Sequence, residues 1–599
     1  MNKIYKNLVN GSILGAVLLL GATACSDDHF DVKDHSGSFG GNATIWESIV
    51  ANDSILSDAR AILERAHVMA DDKDKKATLT YAQWLNQPME ITVWLPKNGS
   101  FDNDYYISLL DRADALRQSD SLSQALKVEY QVVTQFVRNH MALFNNVGSI
   151  PADKKIRLLN SKLCTFDPSK EEFNGISYDS KLTTYNGNGV LYVLTEGASP
   201  FSYNIFDFMS SDAQFSTVYD VISDPEIDKN VFWPEASTEG AMNEKGEIVY
   251  VDSVYRNSNE LLSRANALIK NEDSLYVAFI PTNDAWDATM EVVKPLFAYG
   301  DKYHYEWDES KFLQTGSHAL KFNADSLQEA SARSQIIESM FFNVTDFHLA
   351  DKNDEAAIIN HLMYADSLIS TNGVVYYNRN KGGVNPMFEG LEPVKASNGY
   401  VIAPKDCRIV PEYSFIRRTE TRPSSMTAHI MGDHQNLSLT VDNWQKDSVV
   451  GEVQDDWYCY YKMIGNSGLK VKLRLQNLAS GHYKISAQML PNRINLNNVS
   501  YEDDGITPIK QEPQFDAYIY GDESLSKKLA SAKNLTVNQD SVQNVVLFDD
   551  FELKKSYKKL PAGYETFAIL ELSISSIQKR KGKCDALSIG KIVIEPVRK

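Results

Sequence analysis

Residues 277–286 read VAFIPTNDAW, and residues 92–101 read TVWLPKNGSF. Both run apolar residues into a proline, cross a short polar step that holds an asparagine, and reach an aromatic five positions after the proline. Val277 and Phe279, like Ile91, Val93 and Leu95, are β-favouring residues on alternate positions. That spacing predicts a strand with one face in a core. Pro281 and Pro96 end the strand, because proline has no amide hydrogen for a ladder. Thr282, Asn283 and Asp284 carry oxygens suited to capping a following helix; upstream, Lys97 and Gly99 replace two of them, so Asn98 is the expected cap. Phe101 and Trp286 return to the core from the first helical turn. The stretch is a strand-to-helix corner and supplies no nucleophile, acid–base pair or phosphate cradle.

The repetition extends in both directions. Upstream, IWESIVANDSILS (Ile45 to Ser57) aligns without gaps on IFDFMSSDAQFST (Ile205 to Thr217), with apolar residues at helical spacing in both. Downstream, VVTQFVRNHMAL (Val132 to Leu143) aligns on IIESMFFNVTDF (Ile336 to Phe347), which sets His140 against Val344. Each copy closes on an Asn-Gly strand, NGVLYVL from Asn188 and SNGYVIA from Ser397. Four elements in one order, twice over, make a duplicated domain. The second copy carries an insertion near 225–259 and an added NRNKGGVNPMFEG segment before its last strand.

This set of elements resembles the fasciclin-like domain family over residues 42–200 and 201–412. The resemblance rests on the helix pair with S-D-x-x-F-S, the FIPTNDAW corner, the RNHMAL segment and the terminal SNG strand. It implies two tandem α+β domains, each a wedge of small sheets flanked by helices, in an extracellular protein of adhesion or partner binding. The family's histidine segment is linked to partner contact, which makes His140 a ligand-binding candidate; the alternative is a core-edge histidine holding a backbone group.

The N-terminus reads as an address. Lys3 and Lys6 precede an apolar run, Ser12 to Ala22, too short to span a bilayer. Small residues then lead to Cys25, which resembles a bacterial lipobox, with Ala22 where leucine is usual. The resemblance implies a signal peptide over 1–24 and acylation of Cys25; ordinary secretory cleavage is the alternative. Residues 25–41 are acidic, then Gly/Ser-rich, and read as a flexible tether. Asp27 and Asp28 resemble an export tag for the outer cell face, which implies a place on the extracellular side of an outer membrane; solvation of the tether is the alternative. His29, Asp31 and His35 lie in that tether, which is too loose to hold a metal.

After a polar, proline-bearing linker over 413–427, β patterning takes over from 428 to 599. LKVKLRLQNL, GHYKISAQML, FDAYIYGD, NVVLFDDFEL, ETFAILELSI and LSIGKIVIEPV are strand candidates at short spacing, which predicts an all-β, jelly-roll-like sandwich. Its ending resembles carbohydrate-binding modules. Trp444, Trp457, Tyr458, Tyr460 and Tyr461 cluster early, where aromatic faces suit either sugar stacking or core packing. In DDWYCYY, Trp457 and Cys459 share one face and Tyr458 and Tyr460 the other, so at most one face is a site. Asp503 and Asp504 form an acidic turn, a calcium candidate or a solvated loop. Cys459 and Cys584 are either a disulfide or buried thiols.

The fold class is thus multidomain: two α+β units, then a β-sandwich. The net charge of −19 argues against a nucleic-acid partner. No G-x-S-x-G, H-E-x-x-H, P-loop or zinc spacing is present, so no catalytic residue, metal or cofactor is assigned. The expected function is a non-enzymatic binding protein, lipid-anchored in the outer membrane as an accessory of a TonB-dependent system taking up glycan or peptide. Its expected partners are a transporter complex and a polysaccharide. Adhesion to a host or cell surface through the fasciclin-like domains is the alternative, and a glycan-active enzyme the third reading.

Overall fold

The computed structural model describes residues 42–599 except 145, 148–150, 152–153, 237, 243–247, 253–254, 301, 309–312, 320–322, 379–386, 430–436, 444–450, 454–456, 495–500, 502, 508–511, 562–563, 565 and 599. The chain divides into two compact units, Met1–Ser202 and Tyr203–Lys599. Among the described residues, no helix is long and apolar enough to cross a membrane.

In the first unit, Thr44 opens the helix Ile45–Ala51 through a capping box with Glu47, and Asp53–Arg65 follows directly. The corner strand Ile91–Pro96 lies inside a four-stranded sheet. It runs parallel to Gly189–Leu194 and antiparallel to Met141–Leu143, and Thr184–Asn186 forms the far edge. The strand is buried on both faces, not one. Ile91, Val93 and Leu95 meet the helices at Leu56, Ile62 and Phe136. Trp94 points the other way, stacked on Phe173 at 4.3 Å and on Tyr192 at 5.8 Å. A second small sheet, which includes Leu163–Asp167, covers that side, so both halves of the alternation are apolar.

The second unit repeats this plan. Tyr276–Phe279 runs parallel to Gly399–Ile402 and antiparallel to Phe341–Asn343, with Val394–Ala396 at the edge. The closing asparagines repeat their bonds as well. Asn188 accepts the Ile45 amide at 2.7 Å and donates to the Leu85 and Gln87 carbonyls. Asn398 accepts the Ile205 amide at 2.9 Å and donates to Ile269 and Asn271. Three otherwise orphaned backbone groups are thereby satisfied in each copy.

The corner asparagines do not cap the helix that follows them. Asn98 accepts the Asp58 amide at 3.0 Å and donates to Ser57 Oγ at 2.8 Å. Asn283 accepts the Thr217 amide and donates to Ser216 Oγ, both at 3.1 Å. Each amide, donor and acceptor at once, latches the corner to the preceding helix pair. The cap in the first copy is Asp102, which accepts the Tyr105 amide. In the second, Thr282 holds the N-cap position without a side-chain bond.

The alignment of the downstream segments also shifts. Met141 pairs with Val93, and Phe341 with Ala278; Val93 and Ala278 face equivalent positions, Leu191 and Val401, of the Asn-Gly strand. Met141 therefore matches Phe341, four residues from the expected alignment, and His140 matches Met340 rather than Val344. A slip of one helical turn keeps the apolar face in phase, so the pattern alone does not distinguish the two.

The β region forms two antiparallel sheets. One orders Leu437–Asn443, Trp457–Met463, Ala586–Pro596, Gly481–Leu490 and Gln543–Leu553. Thr419–Thr421, inside the stretch expected as a linker, is a further strand paired to Ala586–Pro596. The other sheet orders Leu469–Leu475, Ala568–Ile574, Gln514–Tyr520 and Lys528–Thr536. Val471 and Leu473 from the second sheet and Ile485 and Ile592 from the first belong to one buried apolar cluster, which continues into the α+β part through Phe415, Phe388 and Val277. Polar ties reinforce that continuity. Ser556 donates its amide to the Ala298 carbonyl at 2.7 Å, and Lys559 pairs with Glu338 at 2.8 Å. Burial alone would raise the Glu338 carboxyl; Lys559 and Arg264 outweigh it and hold it below its usual range.

Candidate functional site

The residues singled out in the sequence do not converge. Cys25 and Trp444 lie outside the described residues. Tyr458 and Tyr460 are buried against Val453, Leu490 and Ala586, while Cys459 and Tyr461 face the opposite way into the main core. Tyr461 and His429 share a hydrogen bond at 2.7 Å. Both faces of the strand are covered, so these tyrosines offer no stacking platform; Trp457, at the strand's end, is 48% exposed.

His140 is wholly buried. Its Nδ1 donates to the Phe136 carbonyl at 2.7 Å, and its Nε2 accepts the Ser199 amide at 2.8 Å. Asn139 donates to the Ser199 carbonyl at 2.9 Å, so two adjacent side chains staple the last residues of the first unit. These contacts are those of a histidine holding backbone, not of a partner-facing one. Burial pushes the imidazole down to about 4. Because this folded value lies below the unfolded one near 6.5, the neutral ring contributes stability that is complete above pH 6.5 and disappears as pH falls towards 4. The difference amounts to about 3 kcal/mol. In His140→Met, which installs the residue of the second copy, the deficit against wild type at pH 7 is expected to shrink on acidification. Chemical denaturation followed across that range checks it, and a constant deficit would refute the titration.

The site that the fold does assemble lies on the outer face of the first β sheet, a groove of about 600 Å³. Its geometry follows from the strand register. Gln488 lies opposite Asn544 on one side and Lys591 on the other, and one row on, Ser486 lies opposite Val546 and Val593. A third row places Lys484 opposite Glu595. Alternation turns Tyr483, Ile485, Ala487 and Met489 into the core and these polar partners outward. Arg418 and Glu452 complete the rim.

The charges along one side are already paired. Lys591 meets Glu420 at 2.8 Å, and Arg418 meets Glu420 at 2.7 Å and Glu595 at 3.2 Å. Burial would raise Glu420, but Lys591 and Arg418 hold it low, hence ionised. The floor differs. Gln488 Oε1 is buried without a hydrogen-bond partner, against Gly590, where a Cβ would come within 2.5 Å of that oxygen. The K-S-Q alternation in GHYKISAQML was the sequence signal for this face; its curvature and its neighbours from distant segments were not.

The other candidates resolve simply. Cys459 and Cys584 are both free and buried, which corresponds to the buried-thiol alternative and not the disulfide; burial pushes each thiol up to about 12. Asp504 accepts the Ile506 and Thr507 amides at 2.9 and 2.8 Å and closes its own turn. Among the described residues, no group of three or more His, Cys, Asp or Glu could hold a metal ion.

No protein-family model and no curated protein matches the chain. Among solved structures, it aligns with a FAS1 domain pair from the insect cell adhesion molecule Fasciclin I. The alignment covers 61% of this chain and 96% of that one at 10% identity and a TM-score of 0.18. So loose a superposition carries no argument; the paired architecture rests on the internal repeat.

Proposed function

We propose that the protein is a lipid-anchored, surface-facing binding protein of a bacterial outer membrane, non-enzymatic, that serves as an accessory of a TonB-dependent uptake system for glycan or peptide. The observation that carries this reading is the sheet-face groove, whose floor presents hydrogen-bonding side chains around an unpartnered amide oxygen. The two-sheet region fits the jelly-roll, carbohydrate-binding-module-like reading, and the two fasciclin-like units serve as spacers and partner platforms. The lipobox resemblance at Cys25 supplies the anchor. A second reading, adhesion, is favoured by Leu143 and Phe144 in the first unit, both more than half exposed, with Phe144 at φ +67.

Affinity purification from detergent-solubilised outer membrane decides between them. The transporter reading expects a co-purifying outer-membrane channel protein that survives a Leu143→Ser/Phe144→Ser double change. Adhesion expects free monomer in detergent and cell attachment that the same change abolishes.

A further inference from the structure

We infer that the ligand of the sheet-face groove is a neutral, polyhydroxylated chain, a glycan without acid groups. This rests on the binding reading above and narrows it.

The charged groups on one side are not open to an ionic ligand. Glu420 lies between Lys591 and Arg418, and Arg418 also contacts Glu595, so these charges neutralise one another. An anionic polymer would have to break those pairs and would meet Glu452 and Glu595 on the rim. The unused recognition groups are neutral. Ser486, Gln488 and Asn544 make no side-chain hydrogen bond to another described residue; Gln488 turns its Oε1 down against Gly590, which leaves the rest of its half-buried amide towards the groove. A hydroxyl fits these groups, because it both accepts from an amide N–H, such as that of exposed Asn544, and donates to a hydroxyl or amide oxygen. Between the amide row and the Lys484 row, exposed Val546 and largely buried Val593 flank Ser486, so apolar surface and a hydroxyl alternate across the face. A pyranose presents that combination, a C–H face bounded by hydroxyls. None of the described residues lining the groove is aromatic, and those residues recognise a ligand through hydrogen bonds rather than stacking. From Gln488 to Lys484 the face extends roughly 13 Å, room for more than one ring.

Gly590 provides a test that removes no polar group. A methyl there would approach the end of the Gln488 side chain, which is flexible, so Gly590→Ala displaces the amide while the backbone stays.

The experiment is native affinity electrophoresis of the full mature chain. The gels contain neutral polysaccharides (laminarin, mannan, arabinoxylan, galactan), acidic ones (polygalacturonate, heparin) or a casein peptide pool. At least one neutral polysaccharide is expected to retard the protein, equally at low and high salt. Gln488→Ala and Gly590→Ala are each expected to weaken that retardation about tenfold or more, with melting temperatures near wild type. A second amide variant, Asn544→Ala, covers the case in which either one misfolds. Retardation only by acidic polymers, loss of binding in high salt, or binding only to peptides overturns the inference while leaving a binding protein. Unchanged binding by correctly folded variants removes the groove from the glycan site. If no polymer of any class binds, the inference falls; the transporter reading then stands or falls separately on co-purification.

Discussion

Gly399→Ala is expected to unfold the second unit. Gly399 sits at φ +145, a backbone conformation that L side chains rarely adopt, and a Cβ would lie 1.8 Å from the Tyr276 carbonyl oxygen. That oxygen belongs to the parallel strand paired with Gly399–Ile402, so no side chain can swing aside. Relief requires parting the two strands and, with them, the Asn398 bonds to Ile205, Ile269 and Asn271. The cost is expected to exceed about 4 kcal/mol, where total stabilities run about 5–15 kcal/mol. Gly189→Ala, at φ +145 and 1.9 Å from the Ile91 carbonyl oxygen, is expected to do the same to the first unit. Gly505→Ala is the control: its φ is +66, but nothing lies within 4 Å, so only about 1 kcal/mol is lost. Urea titration of the three variants reads the contrast. Midpoints for Gly399→Ala and Gly505→Ala that coincide would show that the sheet yields where the packing says it cannot.

The proposed anchor gives the second large effect. Cys25→Ala is expected to move the protein quantitatively from the membrane fraction to the soluble fraction, with its thermal transitions unchanged. Attachment then rests on acyl chains, each adding roughly 0.8 kcal/mol per buried methylene. The segment from Ser26 to Gly41 has little apolar content and adds little to any core. Changing Asp27 and Asp28 to Ala acts on routing instead: the protein stays lipidated but becomes hidden from protease added to intact cells. Protease shaving of wild type and both variants, with lysed cells as control, measures this. Wild type that resists shaving until lysis would remove the support for surface capture and for host adhesion together.

The repeat was legible because it is written in residue types with few substitutes: a proline ending a strand, an asparagine one residue pair later, a glycine opening the parallel partner. What those residues touch was less so. Asn98 and Asn283 follow strands and precede helices, where asparagine ordinarily caps; nothing local says that the previous helix pair lies nearer. The His140 segment slipped by one turn because Phe136, Val137 and Met141 share a helical phase with their alternatives. Strands such as Gly481–Leu490 were plain from alternation, and so in principle was their polar face. The aromatic run at Trp457 misled for a physical reason: a β face is open or closed according to what crosses it, and the residues closing over Tyr458 and Tyr460, Val453 and Leu490, lie outside the motif. The groove itself draws on residues 418, 452–453, 484–488, 544–546 and 591–595, five segments far apart in the sequence that only the fold brings together.

The apolar cluster that runs without a break from Val277 through Phe415 to Ile592 bears on how this chain can be cut and inherited. A deletion of 428–599, the obvious way to ask which part does what, would strip the cover from Phe415 and Ile416 and leave Glu338 without Lys559. Such a fragment would report on its own exposed core rather than on adhesion. For recombination in a genome, or for a fusion meant to carry the groove to another surface, the transferable cassette is 203–599, with its seam between Ser202 and Tyr203.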